Sequence, residues 1–266
     1  MAWSLVEGKA STNVLPTLPT KVKIMVVMPQ EGSASFEFFE RTWSALKNEQ
    51  MPWCDRAFMM CRVPSLPLAR NILIKEFLKS DCTHIFWLDS DMILETPSTW
   101  NEALQKMVRA LEETGESIVS GLYRAKQAHG FNYAAWKVAP PEMNQKGYVH
   151  VASWGGNWFE CDVVGLGCCL MKRRVLEALI NQRDKAKSAL LEMIAISQTK
   201  VSGMEYLFNV EEPVHWETPD TASEDFNMLE KARKLGYKAW VLSDIKLSHE
   251  ARVVLNTSGN IRVPGA

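Results

Sequence analysis

The chain has 266 residues, of which 47% are apolar and 23% charged, and its formal net charge is −1. That length buries a sizeable core in one large α/β domain or two small ones, and the ordinary charged fraction excludes disorder as the default state. A balance so close to neutral gives no global pull toward nucleic acid or an anionic membrane, so any polyanion contact has to be local.

Val22-Lys23-Ile24-Met25-Val26-Val27-Met28, stopped by Pro29, is a β-branched apolar run that reads as a buried parallel strand. Residues 1–20 before it form a loose arm with no basic region leading a long apolar stretch. No window approaches the roughly 18 apolar residues that crossing a bilayer takes. Ser35–Asn48 carries Phe36, Phe39, Trp43 and Leu46 at helical spacing. The pattern repeats with strands at Ala57–Val63, Thr83–Leu88 and Ser117–Leu122 and helices at Leu68–Lys79 and Ser98–Glu113. Alternation at this spacing predicts an open, mostly parallel sheet with helices on both faces, whose ligands bind at the carboxyl ends of strands.

Beyond Tyr123 the regularity fades. Arg124–Gly147 reads as a long loop over a site. Val149–Trp154 and Trp158–Val164 are expected to form a hairpin around Gly155-Gly156-Asn157. Leu170–Met171 leads into a helix from Arg174 to Gln182, and Asp184–Val201 is ambiguous. Glu224–Leu235 is a helix closed by Gly236, followed by a strand at Lys238–Leu242. Six cysteines (Cys54, Cys61, Cys82, Cys161, Cys168, Cys169) contain no C-x-x-C pair and mostly sit in apolar runs, as reduced core thiols do. The expected compartment is cytoplasm.

The sharpest chemical feature is His84-Ile85-Phe86-Trp87-Leu88-Asp89-Ser90-Asp91, an apolar strand ending in two carboxylates one residue apart. Carboxylates are hard oxygen ligands suited to Mg²⁺ or Mn²⁺, and such a cation neutralises charge on a departing diphosphate. The same string also serves as a turn or helix cap.

Four stretches now fall in one order: Ala69-Arg70-Asn71 followed by Phe86-Trp87-Leu88-Asp89-Ser90-Asp91; Val163-Val164-Gly165-Leu166-Gly167 running into Lys172-Arg173; Thr221-Ala222-Ser223-Glu224-Asp225-Phe226; and Leu247-Ser248-His249. Together they resemble the nucleotide-sugar-dependent glycosyltransferases of GT-A fold, family 2-like with a DxD motif. The resemblance covers about residues 22–250. It implies one globular domain over 21–250, with a nucleotide-sugar-binding half (21–122), an acceptor-binding half (123–250), and a tail over 251–266. Its sheet would be Rossmann-like, mostly parallel but mixed, and flanked by helices.

By the same resemblance Asp89 contacts donor ribose or metal, Asp91 is the principal metal ligand and His249 a further one, with Ser90 between the carboxylates. Pro29 and Glu31 lie where relatives bind base and ribose, although Met28-Pro29-Gln30-Glu31-Gly32 lacks the usual asparagine. Arg70 either reaches a donor phosphate through its fork of donors or is an ordinary helix-start arginine. Asp225 is the general base if the reaction inverts, with a retaining course left open; Glu224 shares the motif but also completes a capping box with Thr221. Asp225 has a plainer use too, as negative charge at a helix N-terminus.

Trp154, Trp158 and Gly167 are expected on the acceptor side, where aromatic faces stack on sugars, and Trp136 and Trp216 offer further rings. The same rings could pin loops to the core. Lys172-Arg173-Arg174 either meets phosphates or is a solvated helix start.

The implied activity is metal-dependent glycosyl transfer, with Mn²⁺ or Mg²⁺ and a UDP- or GDP-type sugar. The acceptor class stays open among glycan, lipid head group, small molecule, protein and modified nucleobase. Two alternatives stand beside it. A nucleotidyltransferase would carry a basic glycine-rich loop after the first strand, which Gln30-Glu31-Gly32-Ser33 does not. A non-catalytic saccharide- or nucleotide-binding relative would not need the acidic pairs.

Overall fold

The computed structural model describes residues 22–30, 34–63, 66–95, 97–124, 133–139, 147–183, 224–249, 254–255 and 261–262. The arm over 1–20, the ambiguous Asp184–Val201, and Glu31, Gly32, Trp216 and Thr221 lie outside them.

Strand β1 (Val22–Gln30) is followed by the short helices α1 (Phe36–Phe38) and α2 (Ala45–Asn48), joined by a π-helical turn over Phe39–Ser44. The Ser35 side chain caps this segment by accepting the Phe38 N–H at 2.9 Å. Next come β2 (Cys54–Arg62), α3 (Leu66–Lys79), β3 (His84–Leu88), β4 (Met92–Leu94), α4 (Trp100–Thr114) and β5 (Ile118–Leu122). Thr99 and Glu102 form a full capping box at the start of α4. The second part contains β6 (Ala135–Val138), β7 (Tyr148–His150), β8 (Trp158–Cys161), β9 (Val163–Val164), β10 (Cys168–Lys172), helix α5 over 173–183, α6 (Glu224–Lys234) and β11 (Ala239–His249). Two short strands, β12 (Val254–Leu255) and β13 (Ile261–Arg262), pair with each other.

Among the described residues the main sheet runs β2-β1-β3-β10-β5-β11-β4, with β8 also on β11. The alternation of side chains sorts the core into two layers. Met25, Val27, Ile85, Trp87, Cys169 and Met171 face α3, α5 and α6. Ile24, Val26, Phe86, Leu88, Cys168 and Leu170 face α1, α2 and α4. Burial on both faces is what the continuous apolar runs foretold. The molecule is a mixed α/β fold with helices on both sides of its sheet.

Several expectations are corrected. The sheet is mixed, as expected, and β10 enters it between β3 and β5 antiparallel to both. Leu170–Met171 is therefore the middle of a core strand. The expected hairpin around Gly155 does not form. β7 pairs with β6, while β8 pairs with Ala239–Leu242 of β11 and so covers an edge that would otherwise be open. Arg124–Gly147 contains strand β6 and a bridge between Arg124 and Tyr133. Finally, β11 runs seven residues past Leu242. A register shift between Leu242 and Lys246 bends it, so that Lys246 still pairs with Leu122 of β5 while its end lies against β4. Gly121 makes room for this bend: a Cβ there would lie 2.6 Å from Leu247 Cδ1 and 3.2 Å from the Ile245 carbonyl oxygen.

Candidate functional site

Asp89-Ser90-Asp91-Met92 is a turn between β3 and β4, closed by the Met92 N–H donating to the Asp89 carbonyl at 3.2 Å. It is held from three sides. The Asp89 N–H donates to the Gly167 carbonyl at 3.0 Å. Met92 lies opposite His249 in the β4–β11 ladder. The Met92 carbonyl accepts the hydroxyl of fully buried Thr42 at 2.9 Å, from within the π-helical turn. The long second half of β11 thus brings the backbone of His249 beside the acidic turn, across more than 150 residues of sequence.

Asp89 meets Arg70 at its carboxylate, with Nη2 at 3.3 Å from Oδ1. Arg70 is 1% exposed and its guanidinium lies over the Trp87 ring at 5.7 Å. The side chain is buried beneath the turn and orients Asp89, whose own side chain remains 28% exposed. Ser90 and Asp91 are half-buried. Among the described residues no three His, Cys, Asp or Glu side chains gather as a ready ligand set. Asp89 and Asp91 therefore offer a two-carboxylate foothold.

Asp225, in the first turn of α6, accepts the Phe226 N–H on Oδ1 at 2.7 Å and the Leu166 N–H on Oδ2 at a long 3.4 Å. Glu224 opens the helix. Phe226 packs edge-on against Trp136 and Tyr148, with ring centroids 5.6 and 4.6 Å away. On the next turn of α6, Glu230 bonds the Tyr148 hydroxyl and Arg233. These contacts fix α6, and Asp225 with it, against the small sheet β7-β6-β9.

The turn over residues 165–167 links the two carboxylates. Leu166 donates to Asp225, and Gly167 accepts from the Asp89 amide. Sequence reasoning did not single out the residue that fills this turn, Tyr123. Its hydroxyl oxygen accepts the Gly167 N–H at 2.9 Å. A Cβ on Gly165 would lie 2.1 Å from that oxygen, and one on Gly167 would lie 2.3 Å from Met92 Cε. Gly167 is thus buried with both backbone groups engaged inside the protein, and its missing side chain makes room for Met92 and the phenol. Nothing in the local sequence ties Tyr123 to a turn more than 40 residues away.

Pro29 and Gln30 end β1 and are buried. Val27 lies opposite Trp87 in the parallel β1–β3 pair, so Pro29 and Asp89, each two residues further on, reach the same edge of the sheet. Trp154 and Trp158 are not brought together. Trp154 stacks on Phe159 at 4.8 Å against one core layer, whereas Trp158 packs on Trp240 at 5.5 Å against the other. Both pin their segments to the core, and they share no platform. Trp136 packs on Phe226 of the Asp225 helix and on His150.

Lys172 and Arg173 are half-buried and Arg174 is exposed, and all three side chains are engaged with the protein. They bind carbonyls at helix ends, and Arg173 alone reaches those of Phe77, Leu78, Ser80 and Cys82. No helix among the described residues is long and apolar enough to cross a membrane.

The sequence matches no family model and no curated protein. Among solved structures it is similar to A197 from STIV, with TM-score 0.48 and 18% identity over 91% of this chain and 94% of that one. It is also similar to GalNAc-T7, solved with UDP, GalNAc and Mn²⁺, with TM-score 0.47 and 11% identity over 87% of this chain and 44% of that one. Likenesses so distant carry no functional weight here, and the site rests on the chain's own residues.

Proposed function

We propose that the chain is a GT-A type glycosyltransferase, moving a sugar from a nucleoside diphosphate sugar of UDP or GDP type to an acceptor hydroxyl. One observation carries this reading: three segments remote in sequence meet at the carboxyl end of β3. They are the Asp89–Asp91 turn, the end of β11 at His249, and the first turn of α6 at Asp225. A strand's carboxyl end is where open α/β sheets place their ligands.

The donor set fits Mn²⁺ or Mg²⁺. Two carboxylates one residue apart supply hard oxygens, and such ions keep their other positions for water and substrate phosphate. Asp91 would be the main ligand, with Asp89 beside it and His249 as a further one. When bound, the cation neutralises negative charge on the leaving diphosphate.

The remaining work falls to the protein. Arg70 holds Asp89 from below. Pro29, near the end of β1, would border the donor side, residues 21–122. The half over 123–250 receives the acceptor. Asp225, oriented by the amides of Phe226 and Leu166, takes the proton from the acceptor hydroxyl. That oxygen forms its bond to the anomeric carbon as the bond from that carbon to the diphosphate breaks, the electron pair leaving with the diphosphate. Glu224 stands next to the base in the same helical turn.

The test is a thermal-shift panel of UDP, GDP, CDP and their common sugars, each with and without Mn²⁺. One nucleotide is expected to raise Tm by about 5 °C or more at a hundredfold excess over Kd, only with the cation, and Asp91→Ala is expected to abolish the effect. No response to any nucleotide would end the transferase reading.

A further inference from the structure

A buried phenol stands between the two carboxylates to which the transferase reading gives separate work. Tyr123 follows β5, is 5% exposed, and occupies the space left by Gly165 and Gly167. Its backbone is pinned as well, since the Ala134 N–H donates to its carbonyl at 3.0 Å. The hydroxyl accepts from Gly167 N–H; the Gly167 carbonyl accepts from Asp89 N–H; and Leu166, between the glycines, donates to Asp225. One three-residue turn therefore has Asp89 on one side and Asp225 on the other, and it is held between them by the Ala134 carbonyl, which accepts the Gly165 N–H at 3.0 Å, and by the Tyr123 hydroxyl.

We propose that Tyr123 is a positioning residue for the transfer reaction: by holding the 165–167 turn it fixes the separation of Asp89, on the donor side, from Asp225, on the acceptor side. This rests on the transferase reading above. The physical reason is that transfer needs donor carbon and acceptor oxygen in near-attack geometry, and a misplacement of about 1 Å costs roughly a hundredfold in rate. Binding of the donor alone needs only one side of the turn. The phenol is suited to a fixed role. Burial first, then the negative charges of Asp225 and Asp89, hold its pKa well above the ordinary value, so it stays protonated.

Tyr123→Phe keeps the ring and removes only the hydroxyl. In the full chain, amide exchange at Leu166, Gly167 and Asp89 is expected to rise about tenfold or more, while Val119 and Leu170 in the neighbouring strands stay as they were. Release of nucleoside diphosphate from the sugar nucleotide that stabilises the protein with Mn²⁺ is expected to lose about tenfold or more in kcat, with donor KM within about twofold. Gly165→Ala, which drives a methyl group onto the hydroxyl, should show the same split and serves if Tyr123→Phe does not fold.

Unchanged exchange and unchanged kcat overturn the proposal. Faster exchange with unchanged kcat also overturns it, because Tyr123 is then structural only. Wild-type protein that neither binds a nucleoside diphosphate with Mn²⁺ nor releases one overturns the transferase reading itself, and this proposal with it. Wild-type protein that does both, beside a variant that matches it, overturns the role of Tyr123 alone.

Discussion

His84 opens β3 at the end of the sheet opposite Asp89. It is 7% exposed, and only Nδ1 has a hydrogen-bond partner, the Thr83 hydroxyl at 2.8 Å. Burial chiefly, and Lys172 next, push its pKa down to about 4, against a small opposing effect of Glu112. The folded chain thus holds His84 neutral, while the unfolded chain takes up a proton near pH 6.5. A depressed folded pKa means stability that is present above 6.5 and lost as pH falls toward 4. Between pH 7 and 4.5 this single residue is expected to cost about 2 kcal/mol. Urea midpoints of wild type and His84→Phe at the two pH values check it: the variant should lose that much less on acidification, and equal losses would show that His84 does not titrate as its burial requires. The residue scale is also where the sequence was least legible. Asp89 and Asp91 could be singled out because a chemical type and a strand end coincide, whereas the burial of Arg70 and the packing of Tyr123 depend on neighbours that no local pattern specifies.

Helix α3 shows how one element depends on another's side chain. It carries Arg70 near its start, and its carboxyl end, a cluster of carbonyls with partial negative charge, faces Arg173. The guanidinium reaches four carbonyls at 2.7 to 3.2 Å and lies over the Phe77 ring at 4.5 Å. A lysine has the charge but only a compact ammonium group and cannot span that set. Arg173→Lys is therefore expected to lose about 2 kcal/mol and Arg173→Ala about 3, read from denaturant midpoints at constant m; a loss below about 0.5 for both would make Arg173 the solvated helix start that its sequence also allowed. Elements whose signal is local, such as β1, α4 and α6, were readable to within a residue or two. Those defined by partners were not. Met92–Leu94 is only three residues long and exists as a strand because β11 passes it. The strand at Trp158 has a glycine turn before it that invited a hairpin, yet β11 offered it a longer ladder.

At the scale of the whole molecule, the proposed division into a donor half and an acceptor half would be one of chemistry and not of folding. Residues up to 122 contain β1 to β5, but in the sheet β3 and β5 do not touch; β10, from the second half, lies between them and bonds to both. Its Cys168 to Met171 are fully buried and complete both core layers. β5 is covered on its other side by β11, also from the second half. A fragment ending at residue 122 would expose both edges of β5 and one edge of β3, and would lose the part of each core layer that β10 and β11 supply. Such a chain cannot bury enough apolar surface to offset its conformational entropy. A fragment over 1–122 is therefore expected to show no cooperative thermal transition and little near-ultraviolet circular dichroism, while the full chain shows both. Adding the fragment over 123–266 in trans should restore part of the signal, since it carries the missing strands. If the first fragment alone melts cooperatively and responds to a nucleotide, the donor half is an independent unit, and β10 is an addition to a sheet that closes without it.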